Sequence, residues 1–135
     1  MTKFEKNTRN RFRKPERLTR KKDIQQLFSA GRSFHLHPFT VKYLPLTGPD
    51  VLTHQVLISV PKRNFKLAVD RNRLKRQIRE AYRLHKHRLA GLPDKYAIAY
   101  IYSFKQKLPY KELENKLIAS LDRLKNELAK KNNAS

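Results

Sequence analysis

The stretch RNRLKRQIREAYR, Arg71 to Arg83, carries six cationic side chains, Arg71, Arg73, Lys75, Arg76, Arg79 and Arg83, against one acid, Glu80. Guanidinium groups stay charged and only donate hydrogen bonds, so this density of arginine suits bidentate forks on phosphate and stacking on bases, not proton transfer. Other chemistries find little to work with. There is no cysteine, which removes disulfides and thiolate metal sites. A nuclease acting alone through metal ions needs clustered carboxylates to hold two cations near a phosphate. The eleven acids are scattered instead, and Glu112 with Glu114 opens a helix, where acids complement the helix dipole. His35 and His37 could place two imidazoles on one side of an extended segment, but no carboxylate or thiol adjoins them, so HLH reads as a polar loop before a strand. His85 and His87 fall at the end of a basic helix, where a phosphate or helix-terminus contact is the simpler role. No catalytic residue is expected on this chain, and its residue types assign no metal site.

The whole chain has the same bias. Lys and Arg number 32 against 11 Asp and Glu, a formal charge of +21, far beyond what solubility requires. The surplus is concentrated: residues 1–22 hold ten Lys/Arg and two Glu, and residues 62–88 hold eleven Lys/Arg with Asp70 and Glu80. Two basic segments separated by strand-like sequence form the electrostatic footprint of a nucleic-acid binder, with affinity resting on phosphate contacts and counterion release. A membrane surface is the competing polyanion. No apolar run approaches the roughly 18 residues of a span. The basic helix also sets Leu, Ile and Ala opposite its charges in place of a Trp/Phe-rich insertion face. The N-terminal MTKFEKNTRNRFRK lacks the apolar centre of a signal peptide, and a cytoplasmic location is expected.

The elements that must position these residues are legible from periodicity. Residues 1–14 form a basic arm, 15–130 a single domain and 131–135 a loose tail. Thr19 is placed to cap a helix from Arg20 to Ala30, with Ile24, Leu27 and Phe28 at helical spacing and Gly31 as the stop. FTVKYLPL, Phe39 to Leu46, alternates as a half-buried strand. A second strand over Thr53 to Val60 follows closely enough to suggest an antiparallel hairpin, ended by Pro61. PKRNFK, with Lys62, Arg63 and Lys66, is a basic loop leading into a helix that starts between Ala68 and Arg71 and runs to about Arg88. The apolar run Tyr96 to Phe104 reads as a buried central strand. Pro109 suits the first turn of a last helix whose Leu113, Leu117, Leu121, Leu124 and Leu128 make one stripe. Helix, strand, strand, helix, strand, helix in one short chain is an α+β sandwich.

At 100° per residue, Leu74, Ile78, Ala81 and His85 share a narrow arc of the basic helix, with Tyr82 and Leu89 beside it. Arg73, Lys75, Arg76, Arg79 and Arg83, with Asn72, cover the opposite side, interrupted only by Glu80. An ordinary solvated face would mix signs through i,i+4 pairs. This one repels itself until an external anion neutralises it.

The run RNRLKRQIREAYR, preceded by SVPKRNFKLAV, resembles the RNR signature of the bacterial ribonuclease P protein component. Upstream, RLTRKKDIQQLFSAGRS resembles that family's first helix, commonly written RL, a basic spacer, then DFxxVFxxG. The resemblance extends from about Arg17 to Leu128. It implies an α-β-β-β-α-β-α order of elements, a two-layer sandwich of a small mixed sheet and helices of the ribosomal protein S5 domain 2-like type. It also implies a protein subunit that assists a catalytic RNA in removing the 5′ leader from precursor transfer RNA. Magnesium would be held mainly by the RNA and the substrate. The partners implied are the catalytic RNA and the leader, with no membrane and no obligate protein partner.

By that resemblance Arg71, Asn72, Arg73, Lys75, Arg76, Arg79 and Arg83 face the catalytic RNA. A cleft between the first helix and the sheet, lined by Arg20, Ile24, Phe28, Thr40 and Lys42, takes the single-stranded leader. Ile24 stands where the family usually has Phe, and Lys42 lies close to a usual aromatic position, so this cleft stacks less and attracts charge more. PKRNFK lacks the glycine of the family's SKKxG loop. The alternative from another class is a structural RNA-binding protein such as a ribosomal protein, which would have no reason for an apolar cleft beside Phe28.

Overall fold

The computed structural model describes residues 16–49 and 51–133. Its elements are α1 (Lys21–Ala30), β1 (Arg32–Leu36), β2 (Phe39–Leu46), β3 (Gln55–Ser59), α2 (Ala68–His85), β4 (Lys95–Tyr102) and α3 (Tyr110–Asn133), with a 3-10 turn at Lys86–Leu89. The four strands form one mixed sheet in the order β1-β2-β4-β3. The pairs β1–β2 and β2–β4 are antiparallel, and β3 lies parallel to β4.

β4 is central because both its faces are apolar. Tyr96, Ile98, Tyr100 and Tyr102 point into the main core with Phe39, Val41 and Tyr43 of β2, Leu74, Ile78, Ala81 and Tyr82 of α2, and the leucine stripe of α3. Leu113, Leu117, Leu121, Leu124 and Leu128 are all fully buried, and emptying one such site costs about 2–5 kcal/mol. On the opposite face the buried residues of β4 are Ala97 and Ala99. Their small side chains let α1 lie on the sheet through Leu27 and Ile24, with Leu18, Leu44, Leu46 and Leu57 around them. The basic helix and α3 thus form the helical layer of the α+β sandwich, while α1 covers part of the other face.

Four expectations change at this level. The strands at residues 39–46 and 55–59 do not form a hairpin: β4 lies between them, since a strand that is apolar on both faces must be covered on both edges. β2 makes its hairpin backwards with β1, through a turn containing the cis His37–Pro38 peptide. β1 contains His35, in what read as a loop. Thr19 does not cap α1; Arg20 occupies that position, with its carbonyl accepting from Ile24 N at 3.0 Å and no side-chain cap. The tail is helical to Asn133. Gly31 does end α1: its N–H donates to the Leu27 carbonyl at 3.0 Å, and a Cβ there would clash with that oxygen. The N-terminal arm, residues 1–14, lies outside the described residues.

Candidate nucleic-acid interface

α2 divides its cations between two uses. Arg71 is turned onto its own chain, Nη1 donating to the carbonyls of Phe65 and Lys66 at 2.8 Å each. Arg83 Nε donates to Glu80 Oε2 at 3.1 Å, and this fork holds the Glu80 carboxyl below its ordinary range, so the acid stays ionised and occupied. Among the described residues, Arg73, Lys75, Arg76 and Arg79 have no hydrogen-bond or ion-pair partner on the protein. Asn72 is exposed beside them. Each i,i+3 or i,i+4 pair among these four cations is repulsive by a few tenths of a kcal/mol, a cost that a line of phosphates removes.

The helix is held at both ends. At its start, Phe65 is buried with its ring centroid 5.8 Å from that of Tyr102, and Asn64 Nδ2 donates to the Tyr102 carbonyl at 3.2 Å. These anchors, with Arg71, fix the loop and leave Lys62, Arg63 and Lys66 exposed beside α2. At its end, His85 Nε2 meets Glu114 Oε2 at 2.9 Å and Lys86 Nζ donates to Glu16 Oε1 at 2.6 Å. His85 is therefore committed to α3 and not to a phosphate.

A second surface lies where α1 ends over the sheet. Phe28 is 41% exposed, and Lys42 Nζ of β2 sits 5.7 Å from its ring centroid. Thr40, on the same face of β2, shares its Oγ1 with Ser103 Oγ at 2.8 Å and His35 Nδ1 at 3.1 Å. Phe28, Lys42 and Thr40 therefore share one side of the sheet. Ile24 is half-buried in the packing of α1 onto the sheet, and Arg20 lies two turns away from Phe28 at the other end of the helix, about 12 Å along its axis. Periodicity missed His35 and Ser103; the pairing His35↔Thr40 needs a β1 register, and Ser103 follows β4 with no signal of its own.

Neither surface contains an acid–base pair. Burial pushes the hydroxyls of Tyr82 and Tyr100 well up and that of Tyr102 up to about 12, so they remain neutral core donors. Tyr100 bonds to Ser120 Oγ at 2.9 Å. His54 is buried under the sheet's edge, its pKa lowered first by burial and then by Lys95, and its Nδ1 accepts from Tyr96 N at 3.0 Å. Among the described residues no three His, Asp or Glu side chains come together, so these side chains do not fit a multi-ligand cation site. No helix described is long and apolar enough to cross a membrane.

These features define a small basic α+β protein that presents a largely cationic helix on one side of its sheet and the exposed ring of Phe28, beside Lys42, on the other. The family model for Ribonuclease P matches residues 12–125, and the chain belongs to that family. It is 43% identical over 76 residues to the ribonuclease P protein component of Porphyromonas gingivalis strain W83, covering 56% of each chain. The component from Desulfovibrio desulfuricans is 32% identical over 108 residues, 80% of this chain and 82% of that one. Among the first of these relatives the match thus spans little more than half of their length. In solved structures, the RNase P protein from Thermotoga maritima superposes with a TM-score of 0.66 at 26% identity, over 80% of this chain and 96% of that one.

Proposed function

We propose that the chain is the protein subunit of a ribonucleoprotein endoribonuclease, ribonuclease P, which removes the 5′ leader of precursor transfer RNA. The RNA subunit carries the catalysis. One observation carries this reading: within a chain of this family, Arg73, Lys75, Arg76 and Arg79 share one side of a helix and have no hydrogen-bond or ion-pair partner among the described residues, the acid among them, Glu80, being taken by Arg83. That face docks the catalytic RNA. Four phosphates neutralised there give a slope of log affinity on log salt near −3.6 by about 0.9 per phosphate, a loss on the order of 10²-fold between 50 and 200 mM. Arg71 acts on the RNA through the loop it braces, keeping Lys62, Arg63 and Lys66 in place.

The single-stranded leader lies in the other cleft, with a base against the exposed face of Phe28 and a phosphate near Lys42. A stacked base contributes roughly 1–3 kcal/mol, and the strand leaves the cleft past Thr40. Magnesium would be held mainly by the RNA and the substrate, where it would supply an activated water and charge neutralisation for phosphodiester hydrolysis. The protein's own part is to add affinity for the precursor and so lower the magnesium needed. The test is reconstitution with the cognate ribonuclease P RNA at limiting magnesium, where the protein should raise cleavage of precursor transfer RNA. Unchanged cleavage, or cleavage by the protein alone, overturns the proposal.

A further inference from the structure

The start of α2 is more apolar on its outside than a solvated helix end requires. Leu67 and Val69 are 63% and 68% exposed. Val69 precedes Arg73 by four residues and Arg76 by seven, so it lies within about 40° of both around the helix. It therefore heads the stripe of unpartnered cations. Leu67 is the residue on which the helix begins, its carbonyl accepting from Arg71 N at 3.3 Å. Both side chains project from a braced base, since Phe65, Asn64 and Arg71 pin the preceding loop from inside.

Charge selects what can cover this tip. Lys62, Arg63 and Lys66 border it, and the nearby acid, Asp70, is engaged by Lys107 Nζ at 2.8 Å. A second copy of this chain would bring +21 against the same basic rim. A polyanion fits, and within RNA the apolar surface available depends on pairing. A duplex stacks its base faces away and leaves hydroxyls and phosphates outside, whereas an unpaired nucleotide exposes a whole base face.

We infer that Leu67 and Val69 form an apolar tip that covers the face of an unpaired nucleobase in the RNA docked along α2, with Lys66 and Arg73 on the flanking phosphates. This rests on the docking of RNA to α2 proposed above.

The experiment measures binding of the full chain to the cognate ribonuclease P RNA at three salt concentrations, for wild type and for Leu67→Ser with Val69→Ser. Neither side chain is charged, so the variant should bind roughly tenfold more weakly at every salt, with a slope parallel to wild type. Serine at the position where the helix starts supplies a capping oxygen, so the melting temperature should hold or rise. Unchanged affinity overturns the inference, as does a loss with a flattened slope, or a wild-type dimer in sedimentation that the variant dissociates. A photo-crosslinking residue placed at Val69 should map to an unpaired nucleotide; attachment only within base-paired RNA also overturns it. Arg76→Ala with Arg79→Ala separates the two readings. If that variant binds like wild type, docking on α2 itself fails; if it weakens while the serine variant does not, only the apolar tip fails.

Discussion

Replacing Arg76 and Arg79 by alanine removes two of the four α2 cations that have no partner on the protein. Nothing in the fold is lost with them. Their side chains make no hydrogen bond among the described residues, alanine is the best helix former, and relieving their i,i+3 repulsion is worth a few tenths of a kcal/mol in favour of the helix. Binding is another matter. Each cation that leaves a phosphate reduces the salt slope by about 0.9, so the double variant should show a slope shallower by about 1.8. If each solvent-exposed contact contributes about 1 kcal/mol, the central net value for a hydrogen bond, the loss at moderate salt is about thirtyfold. Filter binding to the cognate ribonuclease P RNA from 50 to 400 mM salt measures both quantities, and circular dichroism melting checks the fold. An unchanged slope would refute the assignment of this face to RNA, and loss of the helical signal would show the two arginines to be structural.

Phe28→Ala should weaken binding of precursor transfer RNA about tenfold by removing one stacking platform, and should leave mature transfer RNA nearly untouched; equal losses for both would argue against a leader cleft. Gly31→Ala should lower the melting temperature, because the added Cβ would clash with the Leu27 carbonyl oxygen at the junction that aims Phe28; an unchanged melting temperature would mean that the junction yields freely. His54 has a folded pKa below its ordinary value of 6.5, so the unfolded chain binds more protons and the stability tied to the neutral ring is present above 6.5 and lost as pH falls below it. His54→Asn keeps an acceptor for Tyr96 N, and its melting temperature should fall less than that of wild type between pH 7 and pH 5; parallel falls would remove His54 from the account.

Much of this was legible in the residues, for identifiable reasons. The α3 stripe, the β2 alternation and the two-faced β4 are strong because the burial of each element follows its own period: all five stripe leucines are fully buried. β1 was not legible from periodicity, since an edge strand of five residues in which Phe34 alone is buried carries no alternation that distinguishes it from a loop; only the three strands before the basic helix that the family resemblance implies supplied it. The partner of β3 was misread because nearness in sequence favoured a hairpin, while the need to cover both edges of β4 prevailed. In the basic helix the division between core and charge follows from 100° geometry. The diversion of Arg71 to the loop carbonyls and of Arg83 to Glu80 does not, because hydrogen-bond partners depend on where a loop closes. The proposed leader surface was legible only in part: Phe28 and Lys42 come together, whereas Arg20 sits at the far end of α1 and His35 joins Thr40 through a strand pairing that no periodicity reveals.

The central claim is that this chain serves a catalytic RNA. It is tested most directly by single-turnover cleavage of a precursor transfer RNA by the cognate ribonuclease P RNA at limiting magnesium, with and without the protein. Cleavage should rise on adding the protein, while the protein alone should leave the precursor intact. Identical rates in both reactions, or cutting by the protein without RNA, would contradict the account.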